Sequence, residues 1–205
     1  MELSEVLRRR RMIRAYAADR PVPDELVEAV TRAALGVPSA GFTQAVSLLV
    51  LTSAERRAAY WSVVADRDTT WLVGMRTAPV LILVWTSRSA YLNRYAEPDK
   101  GWTDRDPERW SAPYWYVDGG MAVLAMLLTA TEQELGACFF GVPAGRISQV
   151  RDAFAVPEDQ LSVGVISLGY PVPAAATGSP TRRPRRPVTE LISHEHWSIG
   201  AESRI

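Results

Sequence analysis

The stretch from Val117 to Leu135 constrains this chain more than any other. Its body is apolar nearly all round, and its opening, Asp118-Gly119-Gly120, is small. A helix without a polar face has to be buried, in a core or at a subunit interface. Its longest unbroken apolar run, Met121 to Leu128, is too short to span a bilayer. The fold is therefore expected to form around one central helix, running from Val117 to Leu135 and closed by Gly136.

The other elements follow from periodicity. Leu3, Val6 and Leu7 predict a first helix that runs into Arg8-Arg9-Arg10-Arg11. Asp24 is placed to cap a second helix with Leu26, Val27, Val30, Ala33 and Ala34 as its buried stripe, stopped by Gly36 and Pro38. Strands are expected at 47–52, 79–85, 137–140 and 162–168, and further helices at 53–64 and 147–154. Residues 88–116 read as irregular and are rich in Trp and Tyr, too long a stretch for an idle connection. Residues 171–205 read as an extended Pro-, Ala- and Arg-rich tail. Two helices precede any strand, which favours a single α+β domain, 1–205, over a regular doubly wound sheet.

Composition narrows the function. Lys+Arg and Asp+Glu are 23 each among 205 residues, so no global basic field attracts nucleic acid. Lys100 is the only lysine, so an Arg bias underlies every basic cluster. The single cysteine, Cys138, cannot form an internal disulfide and sits in an apolar strand, which suits a buried thiol. The opening residues lack the apolar stretch of a signal peptide, and the expectation is a soluble cytoplasmic protein with no membrane partner. His194-Glu195-His196 has too few companions for a structural zinc site, so no metal is expected. Neither a G-x-G-x-x-G after a strand nor a Walker sequence is present.

Three groups of residues carry possible chemistry. Arg10, Arg11 and Arg14 present planar donor forks that match phosphate oxygens, although a solvated helix face has the same composition. Gly36 to Ala45 is a turn whose small residues would let backbone approach a flat ligand, with Ser39 and Gln44 offering hydrogen bonds; it also reads as a plain helix-to-strand loop. Tyr91, Tyr95, Trp102, Trp110, Tyr114, Trp115 and Tyr116 suit a lid over a flat substrate across 88–116, or a loop packing its own aromatics on the core.

Arg10-Arg11-Met12-Ile13-Arg14 with Tyr16, then Pro38-Ser39-Ala40-Gly41 with Gln44, resemble the opening motifs of the FMN-dependent nitroreductase family. Leu135 to Val142, Val156-Pro157, Gly164 to Pro171 and Arg183-Pro184-Arg185-Arg186-Pro187 resemble its later motifs, in the same order over almost the whole chain. The resemblance implies a homodimer with a mixed central sheet flanked by helices, two FMN molecules at the interface, and a C-terminal extension exchanged between subunits. It implies that Arg10, Arg11 and Arg14, with Met12 beside them, hold phosphate and ribityl, and that Arg183 and Arg185 complete the clamp. Pro38, Ser39, Ala40 and Phe42 would come from the other subunit, with Gln44 supporting the ring or ribityl. Phe140 and Gly141 would line the isoalloxazine, the Gly141 N–H near flavin N5. The flavin would carry hydride from NAD(P)H to an electron-poor acceptor (a nitroaromatic, a quinone or similar) by a ping-pong mechanism, with no catalytic side chain and with Arg14 as the cation near N1.

Several positions depart from the family pattern. Met12 stands where Ser is usual, Phe42 where Asn is common, and Ala45 where Pro often follows the Gln. Trp71 and Gly74 occupy the neighbourhood of an Asn and a basic residue, leaving Arg76 as the nearby cation. A specialised flavin enzyme (a heterocycle or peptide dehydrogenase, a dehalogenase or a flavin-consuming oxidase) and a non-catalytic flavin-binding or storage protein are the alternatives.

Overall fold

The computed structural model describes residues 1–65, 69–172 and 183–197. Residues 1–172 form one compact unit, and residues 183–197 belong to a separate one. The first unit contains α1 (Leu3–Arg9), α2 (Asp24–Ala33), β1 (Ser47–Leu51), α3 (Ala54–Val64), α4 (Thr70–Arg76), β2 (Val80–Ser87), α5 (Arg88–Tyr95), α6 (Tyr114–Glu132), β3 (Gly136–Phe140), α7 (Ile147–Phe154) and β4 (Gln160–Gly169). Among the described residues the four strands form one sheet in the order β1-β2-β4-β3, each neighbouring pair antiparallel. Among the described residues the parallel component of a mixed sheet is limited to a bridge between Met12 and Ala137.

β2 is buried along its whole length because it lies inside the sheet with helices on both faces. Val80, Ile82 and Val84 face Val27 and Val30 of α2 and Ala122, Val123 and Met126 of α6. Leu81, Leu83 and Trp85 face the other way, onto Tyr60 and Trp61 of α3, Leu72 and Met75 of α4 and Val150 of α7. The alternation is the two-residue period of a strand covered on both sides. The register slips between Val84 and Trp85, opposite Gly164, whose φ of 149° and close approach to the Phe139 ring leave no room for a side chain.

α6 starts at Tyr114, earlier than its apolar pattern implies, with Pro113 at the cap. It ends at Glu132, and Glu134, with a φ of 58°, makes the left-handed turn expected of Gly136. Gly136 instead opens β3, where a Cβ would lie 2.9 Å from Ile13. Asp24 is the first residue of α2 behind Pro23 and makes no capping bond; it acts on the helix dipole from the first turn. In α1 only Val6 is buried, and Leu3 and Leu7 are exposed. The region read as irregular carries α5, capped by the Ser87 hydroxyl, and a short 3-10 turn at Pro107–Arg109. No helix among the described residues is long and apolar enough to cross a membrane. The predicted tail lies partly outside the described residues.

The segment after α1 is stitched into place by its backbone. Ile13 N–H donates to the Ala137 carbonyl (2.9 Å), Ala17 N–H to Tyr170 (3.0 Å) and Tyr16 N–H to the Thr77 hydroxyl (2.9 Å). The Arg14 carbonyl packs directly against Gly74, where a Cβ would collide with it. Gly74→Ala should therefore destabilise the fold by about 1–3 kcal/mol, because a backbone carbonyl cannot step aside as a side chain does. The gain in helix propensity, up to ~1 kcal/mol, does not offset this. Calorimetry should show a lower melting temperature, by about 2–4 °C per kcal/mol at this chain length.

Candidate functional site

Two sets of candidate residues are assembled by different elements. The first lies along the segment leaving α1. Arg10 caps α1 through its own N–H, which donates to the Val6 carbonyl at 2.9 Å. Its side chain is half-buried, and its Nη1 is buried with no hydrogen-bond partner among the described residues. An unpaired buried guanidinium nitrogen is costly, and an anionic group is its natural complement. Arg11 is exposed and folds back onto the Arg8 and Arg10 carbonyls (2.7 and 2.9 Å). Arg14 is half-buried and donates to the Met12 carbonyl at 3.2 Å. Met12 packs against both hydrophobic cores, so a polar residue there would lose apolar contacts on both sides of the sheet.

β3 runs beside this segment, and its last residue is Phe140. The Phe140 ring stacks on Trp61 at 5.7 Å and 12° and meets Trp71 edge-on at 5.5 Å. These rings, with Tyr60, Thr69, Gly141 and Pro143, line a cleft of about 240 Å³. Gly141 is exposed, and a Cβ there would meet nothing within 4 Å. Packing among the described residues therefore does not require glycine at 141. Tyr60 is fully buried, and burial pushes its phenol well above the usual tyrosine range.

The second set joins the 38–44 loop to the aromatic region, which the sequence left as separate groups. Asp118, on α6, is 2% exposed. Its Oδ2 accepts from the Tyr91 hydroxyl at 2.7 Å and from the Ala40 N–H at 2.8 Å. Arg94 Nε donates to the Gly41 carbonyl at 2.8 Å, and the Tyr95 ring lies so close to Gly41 that a Cβ would sit 2.6 Å from it. Ser39 Oγ accepts from Gln44 N–H at 3.0 Å. Pro38 and Gln44 are exposed, as is Phe42, at 73%.

The aromatic side chains pack on one another. Trp110 contacts Tyr91, Tyr95, Trp102, Tyr114 and Trp115, with centroids 4.3–6.3 Å apart. Tyr91 and Trp115 are buried, whereas Tyr114 and Tyr116 face outward. Burial first, and then the bond to Asp118, raise the Tyr91 phenol well above its ordinary range.

Arg183 and Arg185 are exposed residues of the second unit, where Arg186 pairs with Glu190 at 3.2 Å. His194 and His196 are exposed there, and no group of three or more potential metal ligands occurs among the described residues. Sequence reasoning passed over Asp118 as part of a small-residue opening. Its signal was present: it is the one charge between Tyr114 and Thr131 in an otherwise apolar helix.

Comparison with known proteins agrees with this architecture. The model of the family described as "Nitroreductase family" matches residues 7–68 and 64–170. A protein of Methanothermobacter thermautotrophicus, provisionally named NADH dehydrogenase/NAD(P)H nitroreductase, is 29% identical over 181 residues, covering 83% of this chain and 78% of its own. A protein of Archaeoglobus fulgidus with the same provisional name is 29% identical over 174 residues, covering 83% and 86%. Among solved structures, a provisionally assigned nitroreductase from Desulfovibrio desulfuricans in complex with FMN superposes with a TM-score of 0.71 at 26% identity, covering 96% of this chain and 98% of that one.

Cys138 is buried in β3, and burial raises its thiol above the usual range. A thiol reagent at mildly alkaline pH should leave the native protein unmodified, because access and thiolate are both suppressed, and should titrate one thiol per chain after denaturation. Rapid modification of the native protein would contradict the burial.

Proposed function

This chain belongs to the nitroreductase family, and on that premise we propose that it is an FMN-dependent NAD(P)H oxidoreductase acting as a homodimer. The observation that carries the reading is the Arg10 guanidinium, held against the fold with a buried nitrogen that no described residue satisfies. The residues present fit a flavin nucleotide. Arg10 offers a donor that no described residue satisfies for a phosphate oxygen, and Arg14 follows four residues later on a backbone fixed to β3. Gly141 leaves bare backbone at the end of β3 with open space around it.

When bound, FMN supplies a reversible two-electron carrier that takes hydride from NAD(P)H and returns it to an electron-poor acceptor. The protein's part is to bind and orient. Arg10 and Arg11 would hold the phosphate, Arg14 would supply positive charge toward the ring, and the Gly141 N–H would be the donor offered to the ring edge. Phe140, backed by Trp61, and the outward-facing Trp71 give the site an aromatic wall that excludes water. Residues 88–116 bound the acceptor side through the outward-facing rings Tyr114 and Tyr116. One site serving donor and acceptor in turn gives ping-pong kinetics, read as parallel double-reciprocal plots.

The outer face of α6 supports the homodimer. Val117 and Leu124 on it are 44% and 47% exposed, and Gly120 between them has open space where a Cβ would stand. Glycine inside a helix costs about 1 kcal/mol relative to alanine, and no neighbour among the described residues requires it. A second helix packed closely there would.

The purified protein should be yellow, and anaerobic NADH or NADPH should bleach it. A yellow protein that neither donor bleaches would indicate flavin storage, and one that binds no added FMN would end the reading. Arg10→Ala should weaken FMN binding at least tenfold, since a charge-assisted hydrogen bond is worth about 1.5–3 kcal/mol. Leu124→Arg should convert the dimer to monomer in sedimentation.

A further inference from the structure

We propose that Asp118 is a positioning residue for the flavin site: its carboxylate fixes the 39–44 loop in the one conformation that presents Phe42 and Ser39, and so sets flavin affinity without contacting the flavin. The inference rests on the flavin reading above and on the family resemblance, which implies that Ser39 and Phe42 meet the flavin, and it names a residue that neither uses.

Asp118 is the only charged side chain buried among the described residues. It stands in a helix whose other inward positions are apolar. A buried carboxylate is costly unless it is fully hydrogen-bonded, and packing alone would be served better by an apolar residue. Its two partners show what the carboxylate does. The Tyr91 hydroxyl ties it to the aromatic cluster, and the Ala40 N–H ties it to the loop.

The loop requires such an anchor. Gly41, Phe42 and Gln44 have φ of 61°, 56° and 52°, so two side-chain-bearing residues occupy the left-handed region. Such conformations persist only where the surroundings enforce them. Thr43 Oγ1 to the Ala40 carbonyl and Gln44 N–H to Ser39 Oγ are internal to the loop and move with it. Two hydrogen bonds reach the rest of the described residues: Ala40 to Asp118 and Arg94 to the Gly41 carbonyl. Arg94 is itself engaged by Asp99 (2.7 Å) and Glu97 (3.1 Å), both exposed to solvent and to screening by salt. Asp118 is the buried anchor. The loop then holds Phe42 out from its own chain, an aromatic ring fixed by backbone yet covering little of this molecule. Val117, one position before Asp118, and Gly120, two after it, lie on the outer face that the homodimer reading assigns to the second copy.

The test uses the full-length reconstituted protein and three readouts: FMN dissociation constant by flavin fluorescence, melting temperature without flavin, and hydrogen exchange at the Ala40 amide without flavin. Asp118→Leu should weaken FMN binding at least tenfold and expose the Ala40 amide to exchange. Asp118→Asn, which keeps an acceptor oxygen, should restore protection and bring affinity to within about threefold of wild type. Phe42→Ala should weaken FMN in the wild-type background and have little further effect with Asp118→Leu, because the ring is then no longer held. If the leucine variant does not fold, Asp118→Ser, too short to reach Ala40, carries the same expectation. Wild-type FMN affinity in a folded leucine or serine variant overturns the inference, as does failure of asparagine to rescue or full additivity with Phe42→Ala. Those results leave the flavin reading standing. A wild-type protein that binds no FMN ends both.

Discussion

The close seating of α6 on the sheet is the contact on which the rest of the first unit depends. Gly119 makes it possible, since a Cβ there would stand 2.8 Å from Val163. With the helix this near, Ala122, Val123 and Met126 reach the faces of β2 and β4 and close one core. The same approach buries Asp118, which turns a packing contact into an anchor for the 38–44 loop and for Tyr91. Three consecutive residues thus face three tasks: Asp118 inward to the loop, Gly119 onto the sheet, and Gly120 outward with no described residue against it.

The arginine segment is fixed by a different device. Residues 12–17 are not a regular strand, yet they exchange backbone hydrogen bonds with the ends of β3 and β4 and press a carbonyl onto Gly74. Met12, Ile13 and Tyr16 turn their side chains into the cores. Arg10, just before this segment, has a buried Nη1 with no hydrogen-bond partner among the described residues, a state that favours an anion.

Local pattern made most elements legible. The apolar runs of β1, β2 and β4 and the amphipathic spacing of α2 and α7 determine their own structure, and the observed bounds differ by a few residues. The exceptions have physical causes. Helix α5 was hidden because its aromatic residues face a cluster formed by chain far away in sequence, so no simple stripe appears. The stop at Gly136 was misplaced because that glycine serves the approach of Ile13, a contact between distant segments, while Glu134 makes the turn.

For the candidate site, residue chemistry alone marked the arginines, the small turn at 38–44 and the aromatic-rich stretch, because guanidinium forks, glycine turns and clustered rings advertise themselves by type. The ordered motifs also carried the family. Only tertiary structure decided that the turn and the aromatic stretch are one assembly joined through Asp118, that Met12 belongs to the core, and that Gly74 is bare because a carbonyl fills its place. Those are distances between residues tens of positions apart in sequence. Such distances are set by the seating of helices on a sheet, and the order of amino acids does not print them.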